Sequence, residues 1–143
     1  MILLDAYALV ALLADEPAAA ETEKLLRGGG CAAVVVNLAE AVDVSCRVHG
    51  LEEEDVRSSL EPLFASAALT AVSPGEATAW RAARLRVRHY ARRARPVSLA
   101  DCFLVAAAGA GDAIATSDAP LAQVARDESI DVIALPDSTG HRP

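Results

Sequence analysis

At 143 residues the chain has room for one domain with one substantial core, and its composition shifts nowhere in a way that would divide it. An apolar fraction of 53% excludes wholesale disorder, and an aromatic fraction of 3% leaves Ala, Val and Leu to fill the interior. A net charge of −7 excludes a general nucleic-acid coating; yet seven of the thirteen basic residues crowd into the acid-free window from Arg81 to Arg95, which points to one specific polyanion contact.

The chain opens MILLDAYALVALLADEP. ILL (2–4) reads as a strand and the residues after it as a helix to about Ala14. This stretch lacks a basic leader, carries Asp5 inside its apolar run and is too short to cross a bilayer, as is every later run. Neither a signal peptide nor a membrane span is expected, and the protein is placed in the cytoplasm.

A second helix from Pro17 closes at Gly28-Gly29-Gly30, strand AAVVV takes 32–36, and a helix from Leu38 runs towards His49 with Gly50 as its stop. EEEDVRSSLEPLFAS reads as a helix whose opening acids suit the N-terminal end of the helix dipole, and a strand follows near Leu69 to Val72. Ser73-Pro74-Gly75-Glu76 opens a long helix to about Ala94. Then come a helix from Ser98 to Ala110, strand AIAT (113–116), a helix from Ala119 and strand VIAL (132–135). Residues 1–135 therefore form the domain, and PDSTGHRP (136–143) reads as a flexible tail. Strands joined by helical crossovers predict an α/β sandwich with a mainly parallel sheet and helices on both faces.

Four carboxylates stand where these helices begin: Asp5 after ILL, Glu40 in VNLAEAVD, Asp101 in VSLADCF and Asp118 in IATSDAP. Each has a local explanation. Asp5 and Asp118 read as N-caps, while Asn37-x-x-Glu40 and Ser98-x-x-Asp101 have the capping-box form. Ser73-x-x-Glu76 has it too and is assigned to capping alone. Asp43, one turn beyond Glu40, is at most a supporting residue.

Taken together, the four acids ask for more than caps. In a right-handed parallel sheet the crossover helices start at the carboxyl edge of the strands, so distant acids converge on one rim. Two carboxylates about 4 Å apart repel by roughly 4 kcal/mol at an effective dielectric of about 20. A divalent cation would offset that, and oxygen ligands without a Cys or His cluster suit Mg²⁺ or Mn²⁺, which keep waters and bind phosphate oxygens. Asp5 then reads as a metal ligand.

Other chemistries find less support. Cys31, Cys46 and Cys102 are odd in number and lack CxxC spacing, so they read as core thiols. His49, His89 and His141 form no ligand pattern, and no Ser-His-Asp arrangement is recognisable. The glycine triplet lacks the Lys-Ser/Thr of a phosphate loop.

LLDAYALVALL, VNLAEAV, SLADCFLVAAA and IATSD, in that order, resemble the motifs of PIN domains, and more closely of the VapC toxins of bacterial toxin–antitoxin pairs. The resemblance runs from Met1 to about Leu135. It implies a PIN-like three-layer sandwich around a five-stranded parallel sheet of order 3-2-1-4-5. It also implies Mg²⁺- or Mn²⁺-dependent endoribonuclease activity, homodimerisation and inhibition by a cognate VapB antitoxin. It places the acidic quartet on Asp5, Glu40, Asp101 and Asp118, makes Thr116 the hydroxyl of a TxD element, and fits Asn37 to a polar position before the second acid. By the same order the third strand lies at the sheet edge, which argues against Glu76 as a site residue. Tyr7 departs from the family, where many relatives carry Ser or Thr, so any hydrogen bond supporting Asp5 must come from elsewhere.

Arg81, Arg84, Arg88, Arg92 and Arg95 follow steps of three and four along one predicted helix face, with Trp80, Ala83, Val87 and Ala94 on or near other faces as anchors. A solvated face paired to acids such as Glu52 to Asp55 explains them without function. With a nuclease site implied, RNA phosphate contacts become an equal reading. Two other classes stay open: a PIN-like RNA- or protein-binding module without catalysis, and another Mg²⁺-dependent α/β phosphohydrolase. Against the latter, Asp5-Ala6-Tyr7 lacks the second aspartate of a haloacid-dehalogenase-like nucleophile motif.

Overall fold

The computed structural model describes residues 1–143. Five short strands, β1 (Ile2–Leu4), β2 (Cys31–Val34), β3 (Leu69–Val72), β4 (Ala113–Thr116) and β5 (Asp131–Ala134), form one sheet of order β3-β2-β1-β4-β5. Every neighbouring pair is parallel. Seven helices join them: α1 (Ala6–Ala14), α2 (Ala19–Gly28), α3 (Val35–Arg47), α4 (Glu53–Ala65), α5 (Glu76–His89), α6 (Leu99–Ala107) and α7 (Ala119–Asp127). The three-layer architecture and strand order are those expected from the sequence, with β3 at the edge.

Alternation along the strands builds the layers, because successive side chains leave a strand on opposite faces. Leu3, Ala32, Val34 and Ile114 enter one core with residues of α5, α6 and α7. Leu4, Cys31, Ala33 and Ala115 enter the other, with α1, α2 and α3. Both faces of β1 are buried, which explains why its sequence is a continuous apolar run. Parallel strands with helices on both sides leave the carboxyl edge open, and β1 and β4, adjacent at the centre, end there, β1 just before Asp5 and β4 at Thr116.

The structure departs from sequence expectation at three helix boundaries. Val35 and Val36 belong to α3 and not to the second strand, so Asn37 and Glu40 lie inside the helix. The expected Asn37-x-x-Glu40 capping box does not form, and Val34 holds the cap position without a side-chain hydrogen bond. Likewise Gly75, not Ser73, precedes α5, and Glu76 is its first residue, accepting from Trp80 Nε1. The long fifth helix stops at His89. Tyr90 is extended, and Ala91 bridges back to Arg95 in a turn, so Arg92 and Arg95 are not on a helix face.

The buried face of α5 is Ala82 and Leu85; the expected anchors Trp80 and Val87 are 62% and 87% exposed, Ala83 is exposed as well, and Ala94 lies in the turn beyond the helix. The arginines find partners other than Glu52 to Asp55. Arg81 Nη1 donates to the carbonyls of Ala106 and Ala108 at 3.2 and 3.0 Å, which caps the end of α6. Arg88 pairs with Glu128, and Arg95 with Asp127 and His89. Arg84 and Arg92 are exposed. Replacing Arg81 by Met strands two helix-terminal carbonyls and is expected to cost about 1 to 2 kcal/mol of stability, read by urea denaturation.

Residues 136–143 fold back as a turn. Asp137 Oδ1 accepts from the Thr139 amide, the Thr139 hydroxyl and the His141 amide, and Arg142 pairs with Glu21 of α2. No helix is long and apolar enough to cross a membrane.

Candidate active site

At the carboxyl edge of β1 and β4 the chain must turn into helices, and both turns are made by acids. Asp5 is the N-cap of α1: its Oδ1 accepts from the Ala6 amide at 2.6 Å, and its Oδ2 accepts from the Thr116 hydroxyl at 2.8 Å. Thr116 Oγ1 in turn accepts from the Asp118 amide at 3.0 Å, and Asp118 Oδ1 accepts from the Leu121 amide at 2.6 Å as N-cap of α7. Asp101 sits in a complete capping box, with its Oδ2 accepting from the Ser98 amide at 2.5 Å while Ser98 Oγ accepts from the Asp101 amide at 3.0 Å. Capping is therefore real for three of the four acids. It also aims them, because a cap fixes where the second oxygen points.

Asp5, Glu40, Asp101 and Asp118 line one cavity of about 660 Å³, together with Tyr7, Val10, Val44, Pro96, Ser98 and the turn at Asp137-Ser138. Thr116 lies beneath, fully buried, and supplies the support for Asp5 that Tyr7 does not. Asn37 is also fully buried, on a stripe of α3 with Ala41 and Ser45, away from the cavity wall and with no partner for its amide or its carbonyl oxygen. Asp43 is exposed and paired with Arg47. None of the five arginines singled out in the sequence lines the cavity. Arg86 comes nearer: its guanidinium lies 4.1 Å from the centre of the Tyr90 ring and its charge reaches Asp101. The helical stepping drew attention to the other face and passed over it.

The electrostatics confirm mutual repulsion. Burial, the charge of Asp101 and, more weakly, that of Asp118 push the Asp5 carboxyl up to about 7, against the hydrogen bonds from Thr116 and Ala6. Asp101 is raised by burial and by Asp118, against the Ser98 hydrogen bonds and Arg86. Glu40 is raised by burial, Asp101 and Asp43. Cys102, next to Asp101, is buried in the core and its thiol is pushed up to about 11 by burial and by Asp101, which rules it out as a nucleophile at neutral pH.

Such a set suits a hard divalent cation. All donors are carboxylate oxygens, and the caps occupy only one oxygen each of Asp101 and Asp118. The side chains do not close into a ready-made cage of three or more ligands. A cation here would therefore be held by one or two carboxylates and keep several waters, as Mg²⁺ does elsewhere. Thr116→Val tests the support beneath it: losing the hydroxyl leaves the Asp118 amide unpaired and removes a hydrogen bond that lowers the Asp5 pKa. The expected loss is about 1 to 3 kcal/mol in urea denaturation, with Asp5 titrating at higher pH by NMR.

Comparison with known proteins gives three findings. The family model described as PIN domain matches residues 2–127. A toxin-antitoxin complex from Klebsiella pneumoniae is 17% identical with a TM-score of 0.58, over 82% of this chain and 87% of that one. The structure of FitAcB from Neisseria gonorrhoeae is 22% identical with a TM-score of 0.60, over 93% and 96%. At these identities the structural likeness is one of fold. No curated protein matches the chain.

Proposed function

The chain belongs to the PIN domain family, and from that premise we propose that it is a metal-dependent endoribonuclease, the toxin of a VapBC-type toxin–antitoxin pair. The observation that carries the reading is the convergence of Asp5, Glu40, Asp101 and Asp118 from four separate elements onto one cavity, with Asp5 buried and repelled by its neighbours. Repulsion of this kind is retained where something bound repays it. The antitoxin partner is supported by the resemblance in motif order and by the fold likeness to a protein described as a toxin-antitoxin complex. Homodimerisation belongs to the same reading.

In this reading Asp5, Asp101, Asp118 and Glu40 would hold Mg²⁺ or Mn²⁺, which when bound would lower the pKa of a water and offset charge on the phosphodiester being cut. Thr116 fixes Asp5 by donating to its Oδ2 while the Ala6 amide holds Oδ1, which locks the carboxylate at the cavity wall. Ser98 orients Asp101 in the same way through its amide. The backbone caps make these positions stiff, and a stiff set of acids places the substrate phosphate with little reorganisation.

The test is incubation of the antitoxin-free protein with total cellular RNA in Mg²⁺, in Mn²⁺ and in EDTA, beside Asp5→Asn. Discrete metal-dependent fragments that vanish in EDTA and in the variant are expected. Absence of cleavage by folded, metal-loaded protein would overturn the reading in favour of an RNA- or protein-binding module, and turnover of small phosphomonoesters instead would assign a phosphohydrolase.

A further inference from the structure

We propose that the carboxylate cavity contains a nucleobase subsite made by the ring of Tyr7 and the carboxylate of Asp137, which selects a base bearing an exocyclic amino group beside the phosphate to be cut. The proposal rests on the endoribonuclease reading above and adds a substrate preference to it.

Cavity size is the first argument. At about 660 Å³ the open cleft has the size of a small-molecule site, which leaves room beside the four acids for more than a cation.

The second argument is the lining. Of five aromatic residues in the chain, Tyr7 alone lies on this wall, beside Val10 and Val44. Its hydroxyl is buried without a partner and the side chain packs partly against the core of α1 and α3, so what it offers the cavity is the remaining ring surface. An aromatic ring next to a phosphate-handling centre is the element on which proteins stack unpaired bases.

Polarity is the third. The turn at Asp137 brings one more carboxylate to the cavity, and its charge is felt at Tyr7. Asp137 Oδ1 is saturated by three donors from Thr139 and His141, which hold the acid ionised and its side chain in place. Its Oδ2 accepts none of these bonds. A fixed carboxylate oxygen accepts from an amino group, as carboxylates do from the amino group of cytosine, and meets the carbonyl edge of uracil with repulsion. The subsite therefore matches an amino-bearing base, such as cytosine or adenine, over uracil, which has no amino group.

Fluorescently labelled oligo(C), oligo(A) and oligo(U) RNA, titrated in Ca²⁺ and followed by anisotropy, test this with wild type, Tyr7→Leu and Asp137→Asn. Leu keeps an apolar side chain on α1 and removes the ring, with folding checked by circular dichroism; Asn keeps the turn acceptor and turns the other atom from acceptor to donor. Wild type is expected to prefer oligo(C) and oligo(A) by about fivefold or more. Tyr7→Leu is expected to bind all three about tenfold more weakly, and Asp137→Asn to lose or reverse the preference. Wild-type affinity in Tyr7→Leu, or an unchanged preference in Asp137→Asn, overturns the subsite. Cleavage of total RNA in Mg²⁺ is read in parallel. If wild type cleaves and both variants cut the same sites with the same KM, the subsite fails and the nuclease stands. If wild type neither binds nor cleaves, the nuclease reading fails and the subsite falls with it.

Discussion

Asp101→Asn is expected to lower metal-dependent RNA cleavage by at least about 100-fold in a protein that remains folded. Asparagine retains an oxygen to accept from the Ser98 amide, so the capping box that starts α6 survives. What is lost is the negative charge at a position whose field reaches both Asp5 and Glu40. Changing residues that merely support metal ligands costs about 10- to 100-fold in affinity or activity, and removing a ligand's charge costs more. Asp55→Asn is the matched control. Asp55 is an exposed acid in the first turn of α4, off the cavity wall and outside the field of the four acids, so its loss should leave cleavage unchanged. Equal activity in the Asp101 variant and its control would remove Asp101 from the catalytic set.

The second large effect is on stability. Asp5→Asn is expected to stabilise the metal-free protein, and to do so only above acidic pH. In the unfolded chain Asp5 ionises near its ordinary value of 3.8, whereas in the fold burial and Asp101 hold the proton on until about 7. Between these two pH values the folded state binds more protons than the unfolded state, so this residue makes stability fall as pH rises through the window and then level off. The rise from 3.8 to about 7 corresponds to about 4 kcal/mol forgone above pH 7. Asn does not titrate. Its advantage over wild type should be near zero below pH 4, grow through pH 4 to 7 and approach about 4 kcal/mol at pH 8, measured by urea denaturation in EDTA. Other acids with lowered pKa values, such as Glu128 and Asp112, titrate alike in both proteins and cancel in the difference. A constant difference across pH would show that Asp5 titrates in the fold at its ordinary value. Saturating Mg²⁺ should narrow the gap, because the wild-type site, with all four carboxylates, gains more from the cation than the variant with three.

The site was more legible in the sequence than the surfaces around it. Asp5 and Asp118 follow strands buried on both faces, and such strands are short apolar runs whose ends are easy to see; the residue after β1 could only lie at the sheet edge. Asp101 was legible through Ser98, since a capping box is a local pattern made by local atoms. Glu40 was placed on the right helix for an incorrect local reason. Val35 and Val36 look like strand residues, yet the chain turns helical at Val35, so tertiary packing overrides their β preference and moves the cap upstream of Asn37.

The basic segment misled because helical stepping continues in the sequence after the helix has stopped. Nothing between His89 and Arg95 is a strong breaker. The turn there is held by Arg95 pairing with His89 at the end of α5 and, across a long separation in sequence, with Asp127 of α7. Asp137 was missed for a similar reason. Its tail carries turn residues and no apolar period, and its place on the cavity wall depends on Leu135 pairing back to Thr116 and on Arg142 reaching Glu21. Long-range pairs of this kind leave no periodic trace.

The account stands on the claim that these carboxylates hold a divalent cation, and the direct measurement is Mn²⁺ titration of the metal-free protein with stability and Mn²⁺ electron paramagnetic resonance as readouts. Wild type is expected to remove free Mn²⁺ from solution with saturable stoichiometry and to gain about 2.7 kcal/mol at a hundredfold excess over Kd, while Asp101→Asn does neither. Unchanged stability and undiminished free Mn²⁺ in the wild-type protein would contradict it.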